Sequence, residues 1–230
     1  VSLRLRDRIE GDLVVEVAFT DSALDVGDRA PADVRRAALH AVAEEAGALP
    51  VIMHQVHGSD VAVVDDVRAG PPTADAMVTS RQHVALLARA ADCVPVLLGD
   101  AAAGLVGAVH SGRGGLARGV VPAAVTRLRD LGAGHITAWI GPHVCGACYE
   151  VPAELRVDVA AQVPSAYSTT SWGSPSLDLG AGVRAQLEDA GVADVRTVGG
   201  CTREDESWPS YRRDGDASTR FAGLVWMHEP

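Results

Sequence analysis

Short apolar runs, broken by glycines and polar turns, recur along the chain with the period of strands more often than that of helices. Residues 12–20 (DLVVEVAFT) read as a strand. Pro31 opens a predicted helix to about residue 46, with Val34, Ala38 and Val42 on one face and Gly47 closing it. Short strands follow at 51–55 and 61–64, on either side of a turn at His57-Gly58-Ser59, and again at 74–79 and 84–88. Asp92-Cys93 then leads into the apolar run 94–98. A strand at 105–110 runs into Ser111-Gly112-Arg113-Gly114-Gly115 and a predicted helix at 116–131. The rest alternates: strand 135–140, helices 153–162 and 180–190, strand 194–198, a polar loop 203–220 and a buried strand 221–227. No repeat and no linker interrupts this order. It predicts one layered α/β (α+β) domain over residues 1–230, its mixed sheets flanked by helices.

Composition narrows the chemistry. A hydrophobic fraction of 47% with 22% charged residues suits a globular chain and argues against disorder. The net charge of −10 is the wrong sign for a non-specific nucleic-acid or anionic-membrane binder. The most apolar stretch, 84–110, is interrupted by Arg89, Asp92 and Asp100, so no membrane span is expected. Arg4, Arg6, Asp7, Arg8 and Glu10 leave no apolar core for a secretory leader, and a cytoplasmic protein is expected. Every basic chain is arginine, which removes Schiff-base and phosphate-loop lysines; asparagine is also absent, which removes a Cys-His-Asn triad. Cys93, Cys145, Cys148 and Cys201 therefore read as reduced thiols or metal ligands.

Three segments at strand ends carry the strongest chemistry: His54-Gln55-Val56-His57-Gly58, Ala91-Asp92-Cys93-Val94-Pro95, and His110 with its glycine loop. Two imidazoles and one thiolate make a three-ligand set for zinc with a fourth position open, and the same set could hold copper. The competing structural reading is a buried Cys93 and two loop histidines. The glycine loop before a helix could aim N–H groups at an anion, with Arg113 and Arg118 adding charge, or be a plain turn. Cys145-Gly146-Ala147-Cys148 is half a zinc site or a redox pair with no second CxxC to complete it; two buried thiols, one lining a pocket, is the plainer account. Glu150 could be a pocket carboxylate, and Ser210–Gly215 sets Tyr211 beside Arg212 and Arg213 for stacking and bidentate anion contacts. The histidines at 40, 83, 135, 143 and 228 read as structural or surface residues.

Taken together, Gln55-Val56-His57-Gly58, Thr73–Thr79, Ala91–Leu98, His110 and its glycines, Gly141-Pro142, Cys148-Tyr149-Glu150-Val151, Leu177-Asp178-Leu179, Cys201-Thr202 and Ser210–Gly215 resemble the laccase-domain family. That family was once called multicopper polyphenol oxidase and is now regarded as purine nucleoside phosphorylase with adenosine deaminase activity. The resemblance covers nearly the whole chain in order. By position it implies metal ligands at His57, Cys93 and His110. It also implies phosphorolysis of adenosine, inosine, guanosine and methylthioadenosine to base and pentose-1-phosphate, and hydrolytic deamination of adenosine. Two departures stand out. The family's His-Ala-Gly-Trp-Arg-Gly has Ser111, Arg113 and Gly114 here, and its Asp-Gly-x-Thr-Gly-Arg is one residue longer, from Asp214 to Arg220.

The implied chemistry places a zinc ion that lowers the pKa of a water for attack at C6 of adenine. Phosphate would be clamped by Arg113, Arg212, Arg213 and Arg220, and Asp92 or Glu150 would protonate or steer the base. Three rivals belong to other classes. A copper polyphenol oxidase is one, although eight histidines without a His-x-His pair do not suit a trinuclear cluster. The others are a metal-free cysteine hydrolase using Cys93 and His110, and a non-enzymatic binding protein.

Overall fold

A computed structural model describes residues 3–230. Two sheets lie face to face. The first runs in the order β1 (Arg4–Glu10), β2 (Val14–Phe19), β13 (Phe221–His228), β6 (Val84–Ala90), β3 (Leu49–Val51). The second runs β12 (Asp194–Thr197), β9 (Thr137–Ile140), β7 (Val94–Asp100), β8 (Leu105–Ser111), β5 (Ala76–Thr79), β4 (Val61–Val63). Both mix parallel and antiparallel pairs. A hairpin of β10 (Tyr167–Thr169) and β11 (Pro175–Leu177) stands apart.

Strand alternation sorts the apolar side chains into three layers. Val15, Val17 and Phe19 of β2, Leu86 and Ala88 of β6 and Val225 of β13 point inward and meet Leu97, Val106, Ala108 and Trp139 of the second sheet. The opposite parity of the first sheet (Ala85, Leu87, Leu224, Trp226) packs on helix α1 (Ala32–Ala46) through Ala38 and Val42. The outer face of the second sheet (Val94, Val96, Leu98, Val109) is covered by α3 (Val120–Asp130), α4 (Ala153–Gln162) and α5 (Leu179–Asp189). The result is a helix–sheet–sheet–helix stack, the layered domain that the pattern predicts. Among the described residues, no helix is long and apolar enough to cross a membrane.

Several local expectations are corrected. The predicted helix 116–131 is two helices, α2 (Arg113–Ala117) and α3, separated at Gly119, whose φ of 76° no helix interior tolerates. Val34 lies on the exposed side of α1. The strand predicted at 51–55 stops at Val51, leaving His54 as a single bridge to Thr73. The polar loop holds a one-turn helix, α6 (Tyr211–Asp214). Strand β1 escapes the pattern because its residues are charged and mostly exposed, as suits a sheet edge.

This topology assembles the site. β7 and β8 are antiparallel neighbours with Pro95 opposite His110, so Cys93, just before β7, comes beside the end of β8. β5 flanks β8 on the other side, and the His110 N–H donates to the Asp75 carbonyl at 2.8 Å. The segment before β13 reaches over from the other sheet.

Candidate metal centre and cleft

His57, Cys93 and His110 converge. Their donor atoms all lie within 4.8 Å of one another, with Cys93 Sγ 3.9 Å from His57 Nε2. The two imidazole rings stand edge to face at 82°. The convergence depends on Asp75, whose side chain is fully buried. One carboxylate oxygen accepts from His110 Nδ1 at 2.8 Å and from the His57 backbone N–H at 3.0 Å. The other accepts from the N–H groups of Gly58 (2.7 Å) and Val56 (3.1 Å). Burial raises the Asp75 pKa, but these donors, His110 foremost, outweigh it and hold it at about 2. One carboxylate thus turns His110 so that Nε2 is free, and ties down the loop that carries His57. His57 itself sits at φ 58°, a left-handed conformation this loop imposes.

The donor chemistry fits a cation. Burial alone would raise the Cys93 thiol pKa; the charge of and hydrogen bonding from His110 and His57 reverse this and bring it down, favouring the thiolate that ligates metals. Gly112 closes the cradle, since a Cβ there would stand 2.7 Å from His57 Cδ2 and 2.9 Å from Cys93 Sγ. Two imidazoles and a thiolate at this separation match the three-ligand, open-position set of catalytic zinc.

The triad lies in a cleft of about 840 Å³. Arg113, Arg212, Arg220 and Asp92 line it, as do Tyr149 and Tyr211. Five arginines face three aspartates on its walls, so the cleft carries positive charge on an acidic molecule. Arg212 lies with its guanidinium carbon 4.7 Å from the Tyr149 ring centroid. Among the described residues, neither its guanidinium nor that of Arg113 has a hydrogen-bond partner, whereas Arg220 folds back on the carbonyls of Ser218 and Thr219. Asp92, nearly buried at φ 86°, accepts from the Thr202 hydroxyl at 2.7 Å and the Arg212 N–H at 2.6 Å. It therefore fixes the loop that brings Arg212 to the cleft.

Three predicted residues sit elsewhere. The Arg213 guanidinium donates to the carbonyls of Thr202 and Trp208 and pairs with Asp214, bracing its loop. Glu150 accepts from the Trp172 indole at 2.9 Å, and Cys148 lies against Glu204; none of the three lines the cleft. Sequence reasoning gave no role to Asp75, Arg89 or Gln55. Arg89 is buried in a two-pronged pair with Asp28 (2.6 and 3.0 Å), and Gln55 exchanges two hydrogen bonds with its backbone. A buried Asp or Arg is invisible to pattern because charged residues are expected outside.

The glycine-loop departures have a local explanation. A Cβ at Gly114 would stand 2.7 Å from Arg118 Nη1, which reaches through that space to the His57 carbonyl at 2.8 Å. Ser111 is fully buried, and its hydroxyl has no partner among the described residues.

The family model described as multi-copper polyphenol oxidoreductase laccase matches residues 7–228. A purine nucleoside phosphorylase of Streptomyces coelicolor is 52% identical over 181 residues, 77% of this chain and 74% of the relative. Another purine nucleoside phosphorylase, from Streptomyces griseus, is 48% identical over 222 residues, 94% of this chain and 87% of the relative. Among solved structures, YlmD of Geobacillus stearothermophilus superposes with a TM-score of 0.84 at 24% identity, over 98% of this chain and 99% of that one, a likeness of fold.

Proposed function

We propose that this chain, which belongs to the multi-copper polyphenol oxidoreductase laccase family, is a purine nucleoside phosphorylase whose centre is a zinc ion held by His57, Cys93 and His110. The observation that carries the reading is the convergence of those three donors inside an arginine-lined cleft, in a chain 52% identical to a protein named for that activity. When bound, zinc supplies Lewis acidity at its open position.

The remaining work falls to the protein. Arg113 and Arg212 offer guanidinium forks without a hydrogen-bond partner among the described residues, the geometry that clasps phosphate in two-pronged fashion. Tyr211, half exposed at the rim, offers a ring face to a purine, and Tyr149 is already stacked with Arg212. Asp92 holds Arg212 in place through its backbone N–H. The substrates are adenosine, inosine, guanosine and methylthioadenosine, each cleaved to base and pentose-1-phosphate. Adenosine is also deaminated at the same centre. Copper in place of zinc would suit phenol oxidation.

The test is a nucleoside panel incubated with and without phosphate, read for free base and inosine, with zinc and copper measured on the same sample. Base release that requires phosphate and zinc supports the proposal. Zinc-loaded protein that releases no base from any purine nucleoside overturns it, as does full cleavage by metal-free Cys93→Ala protein.

A further inference from the structure

Away from the cleft triad, the structure answers what completes the lone CxxC. We propose that Cys145, Cys148, Cys201 and Glu204 form a second, structural metal site that takes a zinc ion through three thiolates and one carboxylate. Their four donor atoms all lie within 4.8 Å of one another. Tetrahedral coordination with Zn–S bonds of about 2.3 Å places sulfurs about 3.8 Å apart, so only small side-chain adjustments are needed.

The backbone is built for it. Cys145 and Cys148 bracket a tight turn in which the Cys148 N–H donates to the Cys145 carbonyl at 3.0 Å. Cys201 and Glu204 bracket another with the same spacing, the Glu204 N–H donating to the Cys201 carbonyl at 3.2 Å. The two turns are held side by side by the bridge between His143 and Cys201 and by the Thr202 N–H on the His143 carbonyl at 3.0 Å. Each turn thus contributes a pair of ligands, C-x-x-C from one and C-x-x-E from the other. The Cys145 N–H already points at Cys201 Sγ (3.4 Å), a backbone bond that stabilises sulfur charge.

A disulfide would use only two of the three sulfurs and gives no reason for the Glu204 carboxylate to lie 3.4 Å from Cys148 Sγ. A dication takes the thiols as thiolates, the protons passing to solvent.

The site would brace the wall of the cleft. Tyr149 follows Cys148 directly, and Thr202, next to Cys201, donates to Asp92.

Metal content decides the matter. Chains purified from zinc-supplemented medium without chelator are measured for zinc per chain and for free thiols, with circular dichroism to confirm folding. Wild type is expected to hold two zinc ions and Cys93→Ala one. The pair Cys145→Ser with Cys148→Ser holds one in the wild-type background and none in Cys93→Ala. Cys93→Ala loaded with Co²⁺ shows sulfur-to-cobalt charge-transfer bands that vanish on Cys201→Ser. Glu204→Gln, the mildest change, gives up its ion to roughly tenfold less competing chelator. A folded Cys93→Ala chain that binds neither Zn²⁺ nor Co²⁺ overturns the proposal. So does a disulfide among the three cysteines of the freshly purified protein, or a second zinc ion that survives loss of Cys145 and Cys148.

Discussion

His110 and Asp75 meet at 2.8 Å, ring nitrogen to carboxylate, with both side chains out of reach of solvent. That bond occupies Nδ1 of His110 and leaves Nε2 as the nitrogen open to a cation. The same carboxylate holds three successive backbone N–H groups of the His57 loop. Asp75→Asn is therefore expected to weaken metal binding by about 10–100-fold while the chain stays folded. Competition with a chelating dye, beside a thermal melt, measures both. Wild-type affinity in the variant would show that the loop holds its shape unaided.

Gly112 gives a sharper steric test. Its φ of −80° suits any residue, so Gly112→Ala costs nothing in backbone strain. The nearest atoms the new methyl meets belong to His57 and Cys93. Loss of metal at the triad with little change in Tm is the expected outcome. Gly134→Ala, whose added carbon meets nothing within 4 Å, serves as the silent control.

Phosphate handling should separate from nucleoside handling at Arg113. Its guanidinium has no partner among the described residues and lines the cleft. Losing one charge-assisted contact costs about 1.5–3 kcal/mol. Arg113→Gln is therefore expected to raise the KM for phosphate by about 10–100-fold, read from initial rates at fixed nucleoside. An unchanged KM for phosphate would move the anion site elsewhere.

Ser111 offers a gain. Its buried hydroxyl has no partner among the described residues, where the family resemblance leads one to expect alanine. Removing it should stabilise the fold by about 1 kcal/mol, measured by urea unfolding of Ser111→Ala.

Asp100 sets an acid limit on stability. Nearly buried, it accepts from the N–H groups of Ala102 and Ala103 on one oxygen and of Gly134 and His135 on the other. Burial raises its pKa, yet these four donors together lower it below the ordinary carboxylate value. The unfolded chain, with an Asp pKa of about 3.9, then binds the proton more readily, so stability rises with pH through this region. The contribution is complete above the unfolded value and is lost as pH falls through the folded one. Asp100→Asn should cost about 2–3 kcal/mol at pH 7, and its gap from wild type should narrow below about pH 4. A gap that is constant with pH would refute the assignment.

Most of the architecture can be read from the apolar rhythm because each buried strand carries it, as 94–98 and 105–110 do. The short hairpin of β10 and β11 leaves no such trace, since its residues are mostly polar. Pattern names the cleft ligands only as three separated segments; strand pairing between β7, β8 and β5 joins them. Asp75 stays hidden because its value lies in contacts formed 17–35 residues away. Cys145 and Cys148 look incomplete in the sequence because the groups they touch, Cys201 and Glu204, each lie 56 residues further on.

The sheet margins carry one more consequence. Three of the four outermost strands of the two large sheets (β3, β4 and β12) are three or four residues long, and the seven-residue β1 presents Arg4, Arg6, Arg8 and Glu10 along an irregular register. A foreign strand arriving there finds either too few ladder positions or a row of charge to desolvate. High concentrations of this protein should remain free of fibrillar aggregates, and neutralising the arginines of that one rim is the change most apt to abolish the protection.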